Sequence, residues 1–212
     1  MDLVRLQSNL ASLRSRIAAA CSRAKRDPSE VTLVVVTKSI PPELIVRLGD
    51  LGVRDIGENR PVEALERVGE LTGIRRHMIG RLQTNKVAKT LAWADVIHSV
   101  DRTSLVAELS KHTKRVPIFV QVNVSGEASK GGYGADGAEE GVAEARRSLE
   151  VVGLMTMAPQ GEDARPHFRR LRELAERLGL PQLSMGMSQD FEAAVEEGAT
   201  HVRVGTAIFE GV

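Results

Sequence analysis

Lys38 directly follows the apolar run Thr32-Leu33-Val34-Val35-Val36-Thr37, and an amine in that place is poised to attack a carbonyl. Burial and nearby positive charge lower an amine's pKa and make it a nucleophile for an aldehyde. The competing reading is a snorkelling surface lysine. By alternation Lys38 shares a face with Thr32, Val34 and Val36, and one strand alone does not say whether that face meets a lumen or a helix layer. In His201-Val202-Arg203-Val204-Gly205, Arg203 alternates with two valines. If the valines meet helices, the guanidinium points inward and needs a partner, either a ligand or a carboxylate such as Asp55 or Glu58. Gly186-Met187-Ser188 and Gly205-Thr206 each lead from a strand into a helix, with backbone N–H groups and hydroxyls suited to a phosphate. Singly, Ser188 and Thr206 read as plain helix caps. Together, on neighbouring strands, they favour a phosphorylated ligand. Asn59, closing Gly57-Glu58-Asn59, supplies an amide to a ring substituent or starts the next helix.

Other chemistry finds less support. His77, His98, His112, His167 and His201 have no two-ligand spacing, so no structural metal is expected. No P-loop or dinucleotide fingerprint is present. Between His77 and Lys86, Thr84 or Asn85 is expected to cap the next helix. Met155, Met157, Met185 and Met187 cluster near strand ends, where core packing is the favoured reading over a pocket lining.

These residues need a scaffold, and the chain alternates β-rich runs with helical patterns. The opening segment places Leu3, Leu6, Leu10, Leu13, Ile17, Ala20 and Ala24 three or four residues apart, a long amphipathic helix docked on its own domain and ending near Asp27-Pro28. Strands are expected at Thr32 to Thr37, Val53 to Ile56, Arg76 to Ile79, Val96 to Ser99, Ile118 to Asn123, Val151 to Met155, Leu183 to Met185 and His201 to Val204. Helices are expected at 42–50, 60–70, 83–91, 102–113, 136–147, 163–178 and 189–197. Strict alternation implies parallel strands with crossover helices. At about 23 residues per unit it fits a compact α/β fold, a (β/α)8 TIM barrel with an additional N-terminal helix, as one domain over residues 1–212. A doubly wound open sheet is the alternative. The glycine-rich stretch Ser125 to Gly137 reads as a mobile loop.

Composition narrows the function classes. Lys plus Arg total 29 against 28 Asp plus Glu, so a net +1 gives no global attraction to nucleic acid or an anionic membrane. A lone Cys21 forms no internal disulfide, and no early stretch resembles a signal peptide. The apolar runs are too short to span a bilayer. A cytoplasmic monomer is expected.

Six segments in order carry a resemblance: Val34-Val35-Val36-Thr37-Lys38, Gly57-Glu58-Asn59, His77 through Lys86, Gly153-Leu154-Met155-Thr156-Met157, Ser184-Met185-Gly186-Met187-Ser188, and Val202 through Phe209. Together the chain resembles the pyridoxal phosphate homeostasis protein family over nearly its whole length. The resemblance implies a barrel similar to the N-terminal domain of alanine racemase, holding pyridoxal 5'-phosphate as a lysine aldimine. It implies Lys38 as the Schiff-base lysine, Ser188, Gly205 and Thr206 as phosphate-binding positions, Arg203 opposite the pyridine nitrogen and Asn59 beside the ring. Arg60 departs from the aromatic residue that many members carry there, which bears on how the pocket rim is covered. Gln189 and Glu210 are milder variations.

The implied role is a cofactor-binding protein of vitamin B6 and amino-acid homeostasis, with apoenzymes that require the cofactor as partners. Racemisation needs proton transfer on both faces of a carbanion. The only tyrosine, Tyr133, lies in the glycine-rich loop, and Val212 follows soon after the last strand, so no second base is expected. An arginine at the ring nitrogen also leaves the ring a weaker electron sink than a carboxylic acid would. The alternatives are a racemase using the same aldimine and a cofactor-free Schiff-base aldolase. Were Lys38 not the attachment site, Lys130 beside Gly131 would be the next lysine to test.

Overall fold

In the computed structural model, which describes residues 2–127 and 131–212, parallel strands close into a barrel. The strands are β1 (Thr32–Val36), β2 (Asp55–Glu58), β3 (Arg75–Met78), β4 (Val96–Val100), β5 (Ile118–Asn123), β6 (Tyr133–Gly134), β7 (Val151–Met155), β8 (Gln182–Ser184) and β9 (His201–Val204). The ring runs β1-β2-β3-β4-β5-β7-β8-β9 and closes through β1–β9, where Thr32 pairs with His201 and Val35 with Val204. This is the (β/α)8 TIM barrel, and the open sheet is excluded by that closure.

Helices α2 (Pro42–Asp50), α3 (Pro61–Val68), α4 (Val87–Trp93), α5 (Thr103–Ser110), α6 (Ala138–Arg146), α7 (Arg165–Arg177), α8 (Phe191–Glu196) and α9 (Thr206–Phe209) follow successive barrel strands; α1 (Leu3–Arg23) precedes them. Val35, Ile56, Leu154, Val202 and Val204 point to the helix layer and join the main apolar core. The opposite face fills the lumen. There Gly57 is required, because a Cβ on it would lie 2.9 Å from Ile79 and 3.0 Å from Val34.

Asp2 caps α1 by accepting from the backbone N–H groups of Val4 and Arg5. Leu6, Leu10, Leu13 and Ile17 are buried along one face, each worth about 1.5–3 kcal/mol on burial. The helix docks on α8 and α9 of its own barrel. The guanidinium of Arg16 sits 4.7 Å above the Phe191 ring, and Asn9 donates to the carbonyls of Ile208 and Glu210. It ends at Arg23, earlier than the Asp27-Pro28 boundary expected, and a 3-10 turn occupies Pro28–Glu30.

Three local expectations are corrected. Strand β2 begins at Asp55 rather than Val53, because the Val53 N–H bonds Leu48 O to finish α2 around Gly52 at φ 76°. The helix expected over 83–91 is a 3-10 turn at Thr84–Lys86 followed by α4, and neither Thr84 nor Asn85 caps α4 with its side chain. Within the glycine-rich stretch, Tyr133–Gly134 pairs with β5 and the Gln121 amide donates to Gly131 O at 2.8 Å, so this part is pinned to the barrel. Lys130 lies outside the described residues.

No described helix is long and apolar enough to cross a membrane. Among the described residues no group of three His, Cys, Asp or Glu side chains is placed to hold a metal ion.

Candidate functional site

The carboxyl ends of β1, β8 and β9 open into a cavity of about 680 Å³ whose lining includes Lys38, Ser188, Arg203, Gly205 and Thr206. Five residues singled out in the sequence thus meet on one wall. Asn59 is not among the lining residues; it lies after β2 with its backbone against Gly80, where an added Cβ would come 2.2 Å from Asn59 O. Arg60 is likewise away from the lining and pairs with Glu63 at 3.1 Å.

Lys38 follows β1 on the face of Val34 and Val36, which turns out to be the lumen side. Its backbone is clamped. Arg67, in the last turn of α3, donates to Thr37 O at 2.6 Å, to Lys38 O at 2.9 Å and to Ile40 O. The Thr37 hydroxyl donates to the buried Glu58 carboxylate at 2.7 Å, and Arg67 lies 3.6 Å from the same carboxylate. Burial pushes the Glu58 carboxyl up, against the Thr37 bond and the Arg67 charge. The Lys38 amine is exposed, and among the described residues no side chain bonds it. Nothing in the local sequence marks Arg67, which reads as an ordinary basic residue near a helix end.

Arg203 lies on the lumen face because Val202 and Val204 take the helix layer. It is only 4% exposed. Its guanidinium donates to Thr156 O at 3.0 Å and to the Ser184 hydroxyl. No carboxylate pairs with it among the described residues, which overturns the Asp55 or Glu58 ion pair. Those acids are committed elsewhere, Glu58 to Thr37 and Asp55 to His77 at 2.9 Å. Burial lowers the guanidinium to about 10, with Asp190 acting in the opposite direction. A buried cation bonded only to neutral groups favours an acceptor in the adjoining cavity.

Ser188 and Thr206 stand at the entries to α8 and α9 without acting as side-chain caps. The cap positions are Asp190 and Gly205. Asp190 accepts from Met187 N at 2.6 Å and closes a tight turn around Ser188. Gly186 holds φ 93°, and a Cβ there would lie 2.5 Å from Ala194 Cβ, so this loop can lie flat on α8 only as glycine. Neither hydroxyl has a hydrogen-bond partner among the described residues, which leaves both as donors to the cavity. Met187 also lines the cavity, whereas Met155 and Met185 are buried and Met157 is exposed.

No protein-family model matches the chain. Curated relatives do. A protein of Aquifex aeolicus named pyridoxal phosphate homeostasis protein is 41% identical over 217 residues, covering 94% of this chain and 95% of its own length. The protein of that name from Escherichia coli is 36% identical over 222 residues, covering 95% and 94%. Among solved structures, PipY of Synechococcus elongatus with PLP bound superposes at TM-score 0.81 with 31% identity, covering 96% of this chain and 99% of PipY. Alanine racemase from Corynebacterium glutamicum, at 16% identity and TM-score 0.73, shares the fold over 63% of its length. Identity above a third, sustained over nearly the full length of both chains, places this one: it belongs to the pyridoxal phosphate homeostasis protein family.

Proposed function

We propose that the cavity binds pyridoxal 5'-phosphate through Lys38 and that the protein serves vitamin B6 and amino-acid homeostasis as a cofactor carrier. The observation that carries this reading is the buried Arg203, without a carboxylate partner among the described residues, on the same wall as the Lys38 amine and two uncapped hydroxyls. When bound, the cofactor supplies an aldehyde. The Lys38 amine would hold it covalently, as the nucleophile for that aldehyde. Ser188, Thr206 and the Gly205 backbone would hold the phosphate by charge-assisted hydrogen bonds. Arg203 would face the ring nitrogen as a donor and so would not protonate it. Asn59 takes its ring-side role from the family resemblance alone.

Carrier use is favoured over racemisation because the only tyrosine lies elsewhere: the Tyr133 ring packs over Gly141 of α6, on the helix side of the barrel. The proposal extends to a single domain over residues 1–212, a cytoplasmic monomer that hands cofactor to apoenzymes.

Borohydride reduction of the cofactor-treated protein, followed by peptide mapping, is expected to label Lys38, and Lys38→Ala is expected to lose the visible absorbance while staying folded. Label on another lysine refutes the assignment. Incubation with single-enantiomer amino acids in deuterated water separates the roles. Inversion at about 1 s⁻¹ or faster, an ordinary enzymatic rate, would make the protein a racemase.

A further inference from the structure

Behind Arg203 the lumen holds a file of polar side chains that the cofactor reading does not use. The Ser184 hydroxyl, bonded by Arg203, lies 2.7 Å from His98 Nδ1. His98 Nε2 lies 2.8 Å from His77 Nδ1, and His77 Nε2 lies 2.9 Å from Asp55 Oδ1. Ser184, His98 and His77 are fully buried. His98 stacks on Phe119 at 4.4 Å, which fixes its ring plane. Asp55, the first residue of β2, lines a second cavity of about 350 Å³ at the opposite mouth of the barrel.

The two ends of this file decide its direction. A guanidinium only donates and a carboxylate only accepts. With one proton on each imidazole, a single arrangement satisfies every bond. Arg203 donates to Ser184, Ser184 to His98 Nδ1, His98 Nε2–H to His77 Nδ1, and His77 Nε2–H to Asp55. Burial holds His98 well below the ordinary imidazole range, consistent with a neutral ring.

We propose that Asp55, His77, His98 and Ser184 form a one-directional relay that positions Arg203 and compensates its charge from the far end of the barrel. The inference rests on the cofactor reading for its consequence at the ring nitrogen, and on the lumen geometry alone for the relay. Polarised hydrogen bonds in series strengthen one another in a low-dielectric interior. Asp190, which lines the cofactor cavity, already acts on the guanidinium from that side; the file brings a second carboxylate, Asp55, to it from the opposite mouth.

Two readouts test it. In the cofactor-free protein labelled with 15N at histidine, long-range proton–nitrogen correlation is expected to show His77 and His98 as neutral Nε2–H tautomers. A proton on His98 Nδ1 would reverse the file and overturn the proposal. In the cofactor-treated protein, Ser184→Ala and Asp55→Ala are expected to keep the borohydride-reducible lysine. Both should lower the pH midpoint of the visible band, because a less compensated guanidinium disfavours a second positive charge in the cavity. Asp55→Asn keeps an acceptor for His77, so it should retain both tautomers and still lower the midpoint. If Asp55→Ala and Asp55→Asn both leave the midpoint at the wild-type value, the far end does not reach Arg203 and the relay falls. A wild type that forms no reducible lysine would sink the cofactor reading instead, while the tautomers still decide the relay.

Discussion

Burial of imidazole gives a pH signature to single residues in the lumen. His98 is held well below 6.5 and His201 is lowered to about 3, in both cases chiefly by burial. The folded state therefore binds fewer protons than the unfolded state once the pH falls below 6.5. Their contribution to stability is complete above that value and is lost as the pH falls, by about 1.4 kcal/mol per pH unit for each ring. Urea unfolding at about pH 7.5, 6 and 5 is expected to show this decline, with a shallower slope in His201→Gln; equal stability at all three would contradict it. At the proposed phosphate end, each hydroxyl would contribute about 1.5–3 kcal/mol through a charge-assisted bond. The Ser188→Ala/Thr206→Ala double variant should thus lose far more affinity for pyridoxal phosphate than for pyridoxal, and equal losses would remove both residues from the phosphate site. That Lys38, Arg203, Ser188 and Thr206 converge on one cavity was legible, because strand alternation and strand-end position say where a side chain points. The partners of His77 and His98 were not. Their contacts cross the lumen between β2, β3, β4 and β8, and no local spacing encodes a distance across a closed barrel.

At the scale of elements, the loop after β1 is held by a helix as well as by its own turn, in which the Ile40 N–H donates to Thr37 O. Arg67→Ala on α3 removes three donors from the Thr37–Ile40 backbone and is expected to slow formation of the reducible lysine. Arg67→Lys should restore it only in part, because an ammonium lacks the planar fork that spans several carbonyls. An unchanged rate of adduct formation in Arg67→Ala would show that the clamp does not position Lys38. Helix α1 braces the other side of the site by docking on α8 and α9. Leu10→Ala there should cost about 2–5 kcal/mol of stability, readable as a lowered denaturant midpoint. Periodicity placed nearly every element, since helices and buried parallel strands carry strong local patterns. It missed a boundary where a helix end consumes the next residues, as at Val53.

For the whole molecule, ligand and fold are linked through the barrel's single seam. Cofactor at a hundredfold excess over its Kd should raise unfolding free energy by about 2.7 kcal/mol, a gain that Lys38→Ala should diminish. The seam joins β1 to β9, strands near opposite ends of the chain, and the cavity wall straddles it with Lys38 on one side and Arg203, Gly205 and Thr206 on the other. Pairings between chain-distant strands form late, because loop-closure entropy must be met before their contacts exist. An adduct at Lys38 would therefore be a clock for closure. In a refolding experiment with cofactor present, far-ultraviolet ellipticity should recover first and the visible band only after the last strand has docked against the first, so that a partly wound chain, however helical, remains colourless.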